Sequence, residues 1–315
     1  MIEAAKKCGA DAVKIQIFNT EEMVTRGAEK APYQKQSAPG GESQFAMLKK
    51  YELGIDDIAY LKSFCDAINL ELMATPFDFT SLALMEQLGF AAIKVGSGDL
   101  TNIPLLRKIN QTGKKVILST GMASLAEIEE ALAVFDRCEH NPVLQHCTSN
   151  YPVRMEDVNL QAIETLKCAF KKPVGFSDHT EGIEITIAAA ALGAEIIEKH
   201  FTLDGALPGP DHRASLEPRQ FAKMVESIRN LETAWGDGIK QCRDSEAEIR
   251  RVARKSIVAK EDIKAGELFT EGNLAVKRPG TGLHPRYYDL LIGKKAFTDI
   301  KKDEQIKLTM VAGDI

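Results

Sequence analysis

Short runs rich in apolar and β-branched residues alternate with helix-like stretches over the first two-thirds of the chain. A strand followed by a helix, many times repeated, predicts βαβ units with parallel strands that are buried on both faces. The open doubly wound sheet and the closed eight-stranded barrel both fit this pattern. Seven strands are predicted, at 11–18, 70–77, 91–98, 114–120, 142–149, 172–179 and 194–201.

The first residues bear on the number of strands. Residues 1–11 have the pattern of an amphipathic helix that closes at Gly9, directly before the first predicted strand. A βα repeat places a strand ahead of that helix, and seven strands plus one make the eight of a TIM barrel. We therefore expect an α/β fold of the TIM (β/α)8 type whose first strand is missing from this chain. A genuine seven-stranded or open sheet is the alternative.

The pattern changes in the last third of the chain. Residues 203–218 form a loop rich in Gly and Pro, and a helical stretch follows at 219–236. From Arg254 onward, short strands are separated by turns and no long helix is predicted. We predict a barrel domain at 1–240, a linker at 241–253 and a small β-rich domain at 254–315.

Composition excludes several classes of partner. The 315 residues carry a formal charge of −5, with a pI near 5.8, which argues against nucleic acid or anionic membranes. No apolar run reaches the ~18 residues of a membrane span. The six cysteines form no CxxC pair, which favours reduced thiols in a cytoplasmic protein over a disulfide framework.

Polar side chains recur at the carboxyl ends of the predicted strands, where parallel α/β folds carry their chemistry. Taken singly, each has a structural interpretation, since strand-end Ser and Thr cap helices and a lone His is commonly a core residue. Seven strands doing so together indicate one site, and lysines with hydroxyls suit a phosphate plus a carboxylate. The residues are Lys14, Gln16, Thr75, Lys94, Ser97, Asp99, Ser119, Thr120, His146, Ser149, Tyr151, Ser177, Asp178, His179, Glu198 and His200.

Two histidines at these ends suggest a metal. His179 and His200 end consecutive strands, close enough to share a divalent cation. Imidazole nitrogen suits Mn, Fe, Co or Zn better than Mg or Ca. A purely structural role for both histidines stays open on the pattern alone.

The motifs together resemble the sialic acid synthase family, which contains N-acetylneuraminate synthase and its legionaminic and pseudaminic acid relatives. The resemblance runs in order from residue 1 to the end, and the last part resembles the family's antifreeze-like domain. The matching segments are KIQ (14–16), ATPF (74–77), KVGSGD (94–99), LSTGM (118–122), HCTSNYP (146–152), GFSDHT (175–180), EKHFT (198–202), PGPDH (208–212) and KRPG (277–280).

The resemblance implies a TIM barrel that condenses phosphoenolpyruvate with an open-chain N-acetylated amino sugar. The products are a nine-carbon 2-keto acid and phosphate. It also implies a divalent metal, typically Mn²⁺ with Mg²⁺ or Co²⁺ as alternatives, held by His179 and His200. The metal polarises the aldehyde oxygen as a Lewis acid.

The resemblance also implies a role for each site residue. Lys14, Lys94, Ser97, Ser119 and Ser177 match positions that hold the phosphate and carboxylate, and Gln16, Tyr151 and Asp211 match positions that meet the sugar. Arg278 matches an arginine that reaches a partner subunit's barrel, so a domain-swapped homodimer is expected. The expected catalytic residues are Lys14, Lys94, Asp99 and Glu198, with Thr75 and Ser149 as further substrate contacts.

The chain departs from the family at three points. The family's first strand, with an E-I-G-x-N-H-like segment, has no counterpart here. Asp99 stands where some members have Glu, and Ser149 stands where some have Asn.

The long loop that contains residues 39–43 could cover the site or be a plain surface loop.

We expect N-acetylneuraminate synthesis from N-acetylmannosamine, with several alternatives. A legionaminic acid synthase would use 2,4-diacetamido-2,4,6-trideoxymannose, and a truncated, inactive homologue could still dimerise. An aldolase-type synthase acting on a sugar phosphate would need further basic residues. A Schiff-base lyase using Lys94 is opposed by the two histidines.

Overall fold

The computed structural model describes residues 1–31, 43–135, 141–209 and 211–313. Of the predicted covering loop, residues 39–42 lie outside these ranges, as do Cys138 and Pro210. Contacts divide the chain into two compact units, Met1–Trp235 and Gly236–Ile315.

The first unit is built on seven parallel strands, so the predicted number of strands is confirmed. Each strand pairs with the next strand in the chain, so the first and the last strand are the edges of the sheet. The strands are β1 (Ala12–Ile17), β2 (Glu71–Pro76), β3 (Ala92–Val95), β4 (Lys115–Ser119), β5 (Val143–Cys147), β6 (Val174–Asp178) and β7 (Ile197–Lys199).

Helices connect the strands in the βαβ order that the sequence predicts. They are α1 (Ile2–Lys7), α2 (Thr20–Met23), α3 (Gln44–Lys49), α4 (Ile55–Ala67), α5 (Phe79–Gln87), α6 (Ile103–Gln111), α7 (Leu125–Ala133), α8 (Ala162–Phe170), α9 (Glu184–Ala191) and α10 (Pro218–Ala234). Gly9, at φ +89°, turns the chain out of α1 toward β1 in a conformation that costs a residue without a Cβ little.

The sheet is curled. Strands lie about 4.8 Å apart, so the edge strands of a flat seven-stranded sheet would be separated by roughly 29 Å. Here Lys14 of β1 lies 2.6 Å from Glu198 of β7, from Nζ to Oε1. Only a sheet rolled toward a barrel brings its first and last strands this close, which confirms the TIM-type fold and excludes the doubly wound sheet.

The core of this unit lies between the sheet and its helices. β-strand residues such as Leu72, Ile93 and Leu118 are buried against helix residues such as Met85 and Leu106. Apolar side chains occupy the outer face of the strands, and this packing leaves the inner face for polar side chains.

The second unit has a core of its own. The short helix α11 (Ala247–Ala253) lies within the predicted linker, and β8 (Ser256–Ala259) pairs antiparallel with β9 (Leu274–Lys277). A further short helix, α12 (Tyr288–Leu291), and isolated bridges such as Ile263–Ile300 complete the unit. Its hydrophobic core contains Ile257, Ala259, Ile263, Phe269, Leu274, Leu283, Leu291, Ala296, Ile300, Ile306 and Val311. The prediction of a small β-rich C-terminal domain is confirmed.

In the described ranges, no helix combines the length and the apolar character needed to cross a membrane.

Candidate active site

A partly buried charge cluster lies inside the curled sheet. Glu198 contacts the Lys14 ammonium at 2.6 Å and the Lys94 ammonium at 3.6 Å. These side chains come from β7, β1 and β3, whose inward-facing positions alternate with outward-facing ones. Three residues predicted for the site are therefore brought together at its centre.

Hydrogen bonds extend this cluster around the sheet. The Lys94 ammonium donates to Ser119 Oγ at 2.5 Å, and Ser119 donates to the Gln145 amide oxygen at 3.4 Å. Gln145 is fully buried and donates in turn to the Phe176 carbonyl at 3.4 Å. The polar chain thus runs from β1 to β6 across the inner face.

The pKa values follow from this arrangement. Burial alone would raise the pKa of the Glu198 carboxyl, but the positive charges of Lys14 and Lys94 outweigh it and hold that pKa well below its usual range. Burial lowers the pKa of Lys94, and Glu198 opposes that shift. Two lysine side chains beside one carboxylate suit an anionic ligand.

A second group of predicted residues surrounds Gly121. Ser97 Oγ accepts a hydrogen bond from the Gly121 amide at 3.1 Å and lies 3.1 Å from Cys147 Sγ. A Cβ on Gly121 would lie only 2.4 Å from Ser149 Oγ. The absence of a side chain here lets Ser97, Cys147 and Ser149 approach one another.

The two predicted metal ligands lie side by side. The ring centroids of His179 and His200 are 5.4 Å apart, and the Tyr151 ring lies 4.1 Å from His179 and 5.5 Å from His200. Asp211 lies beside His200, with 3.8 Å between Oδ2 and Nδ1. Residues from four loops or strands therefore meet at one place.

The tautomer of His179 follows from its partner. Its Nδ1 lies 2.8 Å from the Thr148 carbonyl oxygen, which can only accept, so Nδ1 carries the proton. The Nε2 lone pair then faces Ser177 Oγ, 3.4 Å away. A carbonyl on one ring nitrogen that leaves the other as an electron donor is the usual arrangement of metal-bound histidine.

Comparison with known proteins identifies the family, since residues 1–240 match the NeuB family and residues 254–312 match the SAF domain. The chain belongs to the NeuB family. The N,N'-diacetyllegionaminic acid synthase of Campylobacter jejuni is 47% identical over 312 residues, which cover 98% of this chain and 93% of that protein. The human N-acetylneuraminate-9-phosphate synthase is 34% identical over 313 residues, 99% of this chain and 87% of that protein.

A solved structure agrees with this assignment. The N-acetylneuraminic acid synthetase of Leptospira borgpetersenii, in complex with citrate, is 36% identical, with a TM-score of 0.69 over 79% of this chain and 82% of that one. The resemblance drawn from the motifs is thereby confirmed at the level of the family.

The fit of a metal to this NeuB chain rests on the histidine pair. Burial lowers the pKa of His179, and burial together with the neighbouring His179 lowers the pKa of His200 to about 3. Both imidazoles are therefore neutral at neutral pH and able to ligate. Among the described residues no group of three or more His, Cys, Asp or Glu is placed to hold a metal. Two nitrogen donors fit a cation that takes its other ligands from water and substrate.

Of the residues with an expected catalytic, substrate or metal role, four stand apart from these clusters. Gln16 is exposed on β1, and Asp99 accepts a hydrogen bond from Asn102 at 3.0 Å in the turn after β3. Thr75 is 2% exposed, and its hydroxyl has no hydrogen-bond partner among the described residues. Arg278 is exposed and belongs to the second unit. Their roles stay predictions.

Gln145 belongs to the candidate site but is not among the residues that the sequence pattern predicts. The pattern predicts the neighbouring His146, but its ring faces the outside of the sheet, where Nε2 lies 2.8 Å from the Val158 carbonyl oxygen. Strand alternation was the available signal, because Gln145 has the same parity as Cys147 and Ser149.

Proposed function

We propose that this chain condenses phosphoenolpyruvate with an open-chain N-acetylated amino sugar to give a nine-carbon 2-keto acid and phosphate. The observation that carries the proposal is the partly buried Lys14–Glu198–Lys94 cluster with Ser119 at its edge. An interior lined by two lysines and a serine hydroxyl suits a small polyanion. Membership of the NeuB family supports the same reaction class, since several similar proteins are named as synthases.

The proposed reaction forms one carbon–carbon bond and breaks one carbon–oxygen bond. Carbon 3 of the enolpyruvate forms a bond to the aldehyde carbon of the sugar, and water adds at carbon 2. The bond between carbon 2 and the phosphate oxygen then breaks, and phosphate leaves with the electron pair. One water proton ends on the new hydroxyl and the other on phosphate, while the water oxygen becomes the ketone.

The chain's own residues bind and orient the two substrates. We assign Lys14, Lys94, Ser97, Ser119 and Ser177 to the phosphate and carboxylate of phosphoenolpyruvate. Because Glu198 stays ionised, its part is to hold the two ammonium groups in place rather than to accept a proton. Burial raises the pKa of the Asp99 carboxyl, with Asn102 opposing, so Asp99 is a proposed proton carrier.

The sugar lies, in this proposal, near Gln16, Thr75, Ser149, Tyr151 and Asp211. Burial raises the pKa of the Asp211 carboxyl, and we propose that this carboxyl forms a hydrogen bond with the sugar. A divalent cation held by His179 and His200, Mn²⁺ before Mg²⁺ or Co²⁺, would supply Lewis-acid polarisation of the aldehyde oxygen.

We propose two candidate sugars, in order of preference. The identity of 47% to a protein named N,N'-diacetyllegionaminic acid synthase supports 2,4-diacetamido-2,4,6-trideoxymannose as the first. N-acetylmannosamine is the second, because the similar solved structure is named as an N-acetylneuraminic acid synthetase. We further propose a cytoplasmic, domain-swapped homodimer, in which Arg278 of one copy meets the sugar in the other.

The test is phosphate release from phosphoenolpyruvate in the presence of Mn²⁺. Each of the two sugars, and N-acetylmannosamine 6-phosphate, is supplied alone, with EDTA as the control. We expect release with one sugar only, and its abolition in Lys94→Met. The matched control is Lys115→Met, which removes an exposed lysine from the start of β4 and leaves the rate unchanged. Absence of release with every sugar would contradict the proposal.

A further inference from the structure

A second buried ion pair lies on the opposite side of the sheet from the site cluster. Asp178 ends β6 and Lys199 ends β7, and these two residues are register partners. Their carboxylate and ammonium groups lie 2.9 Å apart, and neither side chain is exposed to solvent. Because Ser177 and Glu198 face inward, their successors in the strands face the helices.

Every group of this pair is satisfied by a hydrogen bond. Asp178 accepts from the Thr180 amide at 2.8 Å and from the hydroxyl of Thr186 on α9. The Lys199 ammonium also donates to the Thr180 carbonyl at 2.5 Å. One buried network therefore joins β6, β7, α9 and the turn after β6.

Residues of this network are the sequence neighbours of both histidines. Asp178 precedes His179 and Thr180 follows it, and the Lys199 ammonium contacts both neighbours. Lys199 itself directly precedes His200. The Lys199 ammonium thus contacts both residues that flank His179, through the Asp178 carboxylate on one side and the Thr180 carbonyl on the other.

We propose that the Asp178–Lys199 pair is a positioning device that fixes the spacing and orientation of His179 and His200. The inference rests on the proposed role of these histidines as metal ligands. Neither Asp178 nor Lys199 faces the site, so both act through the histidines. A pair kept only for stability would not need to join the residues that adjoin both rings.

The pair can be removed without leaving a lone buried charge. Asp178→Asn with Lys199→Met is nearly isosteric and uncharged, and the amide oxygen of the introduced asparagine still accepts from the Thr180 amide. Removing both members of a buried ion pair is commonly tolerated, whereas removing one is not. The matched control is Asp11→Asn with Arg229→Gln, which removes an exposed pair at 2.6 Å that joins the start of β1 to α10.

The first readout is Mn²⁺ affinity, measured from the free-ion electron paramagnetic resonance signal, with thermal melting on the same samples. Mutation of residues that orient metal ligands typically lowers metal affinity by about ten- to a hundredfold. We expect a loss of this size in the double variant. The control should bind Mn²⁺ as the wild type does. A folded double variant with unchanged Mn²⁺ affinity would overturn the proposal.

The second readout needs no metal. The side-chain ¹H–¹⁵N spectrum of histidine-labelled protein reports the His179 tautomer, which we expect to be fixed in the wild type and mixed in the double variant.

If the double variant does not fold, Thr186→Val removes one hydrogen bond to Asp178, and we expect a smaller change of the same sign. An unchanged His179 spectrum in the folded variant overturns the inference even where the wild type binds no Mn²⁺. Phosphate release is scored separately, so failure of the proposed function is told apart from failure of the positioning role.

Discussion

Gly121 shapes the candidate site through the side chain that it lacks. A Cβ there would lie 2.4 Å from Ser149 Oγ, 2.8 Å from Ser97 Oγ and 2.9 Å from Cys147 Sγ. Distances this short force the neighbours to move, and overpacking of this kind costs about 1–3 kcal/mol.

We expect Gly121→Ala to lower kcat/KM for phosphoenolpyruvate about tenfold or more, because the displaced serines are proposed substrate contacts and small displacements at a site are costly. Steady-state kinetics and thermal melting measure the two effects. Gly27→Ala is the control, since a Cβ there meets nothing within 4 Å. Unchanged kinetics in Gly121→Ala would show that the space around this glycine is not needed.

His146 predicts a pH dependence of stability. Burial lowers the pKa of His146 below its ordinary 6.5, although its hydrogen bond to the Val158 carbonyl opposes the shift. Below pH 6.5 the unfolded chain gains a proton on this residue that the folded chain does not, so the free energy of unfolding falls as pH falls.

The variant His146→Gln keeps a donor for the Val158 carbonyl and removes the titration. We expect its free energy of unfolding to fall less steeply between pH 7 and pH 5 than that of the wild type. Urea unfolding in EDTA at several pH values measures the difference, and His284→Gln, an exposed histidine, is the control. Parallel curves for His146→Gln and wild type would contradict the burial argument.

At the level of elements, the alternation of strand and helix was enough to predict all seven strands and the helices between them. The predicted strands run past the observed ends, as at 91–98, because the chain turns into a 3₁₀ helix at Ser97–Asp99 directly after β3. Polar residues at a strand end look alike in sequence whether they continue the strand or turn away from it.

Side-chain partners across the sheet could not be predicted in the same way. Lys14 and Glu198 are separated by 184 positions, and their contact depends on the curl of the whole sheet. The choice between Gln145 and His146 depends on which face of β5 is inward. Residue types therefore predict a candidate site at the strand ends, and the fold decides which of the residues meet there.

The N-terminus of α5 provides a test at this scale. Asp78 precedes the helix, accepts from the Ser81 amide at 2.7 Å, and also accepts from the Asn19 amide in the loop after β1 at 2.7 Å. One buried carboxylate thus caps a helix and ties two strand ends together.

We expect Asp78→Ala to lower the free energy of unfolding by about 1–3 kcal/mol, since it loses a helix cap and leaves a buried amide without a partner. Asp78→Asn should lose less, because its side-chain oxygen still accepts. Asp56→Ala, in the first turn of α4 and exposed, is the control. Equal unfolding curves for Asp78→Ala and Asp56→Ala would refute the capping role.

At the level of the whole molecule, two units with separate cores occur in one chain. The charge cluster, the serines around Gly121 and the histidine pair all belong to the first unit, whereas Arg278 belongs to the second. The proposed dimer supplies this arginine from a second copy, and that arrangement has a consequence that a monomeric enzyme lacks.

Two defective variants should restore each other's activity when they are mixed. In the proposed dimer, Lys94→Met is expected to abolish activity at its own barrel, and Arg278→Ala is expected to weaken sugar binding at the neighbouring barrel. In a swapped dimer with one subunit of each kind, one site combines an intact barrel with an intact Arg278, while the other site has both defects. After subunit exchange in a 1:1 mixture, half of the dimers are mixed, so about a quarter of wild-type activity should return.

The measurement is phosphate release at limiting sugar concentration, before and after subunits exchange under mild denaturant and refold together. Lys94→Met mixed with itself is the control and should remain inactive. If Arg278 acts on the barrel of its own chain, mixing restores nothing, because each subunit then keeps its own defect. Activity that rises on exchange therefore requires a site shared between two copies, and activity that stays at the sum of the separate variants excludes one.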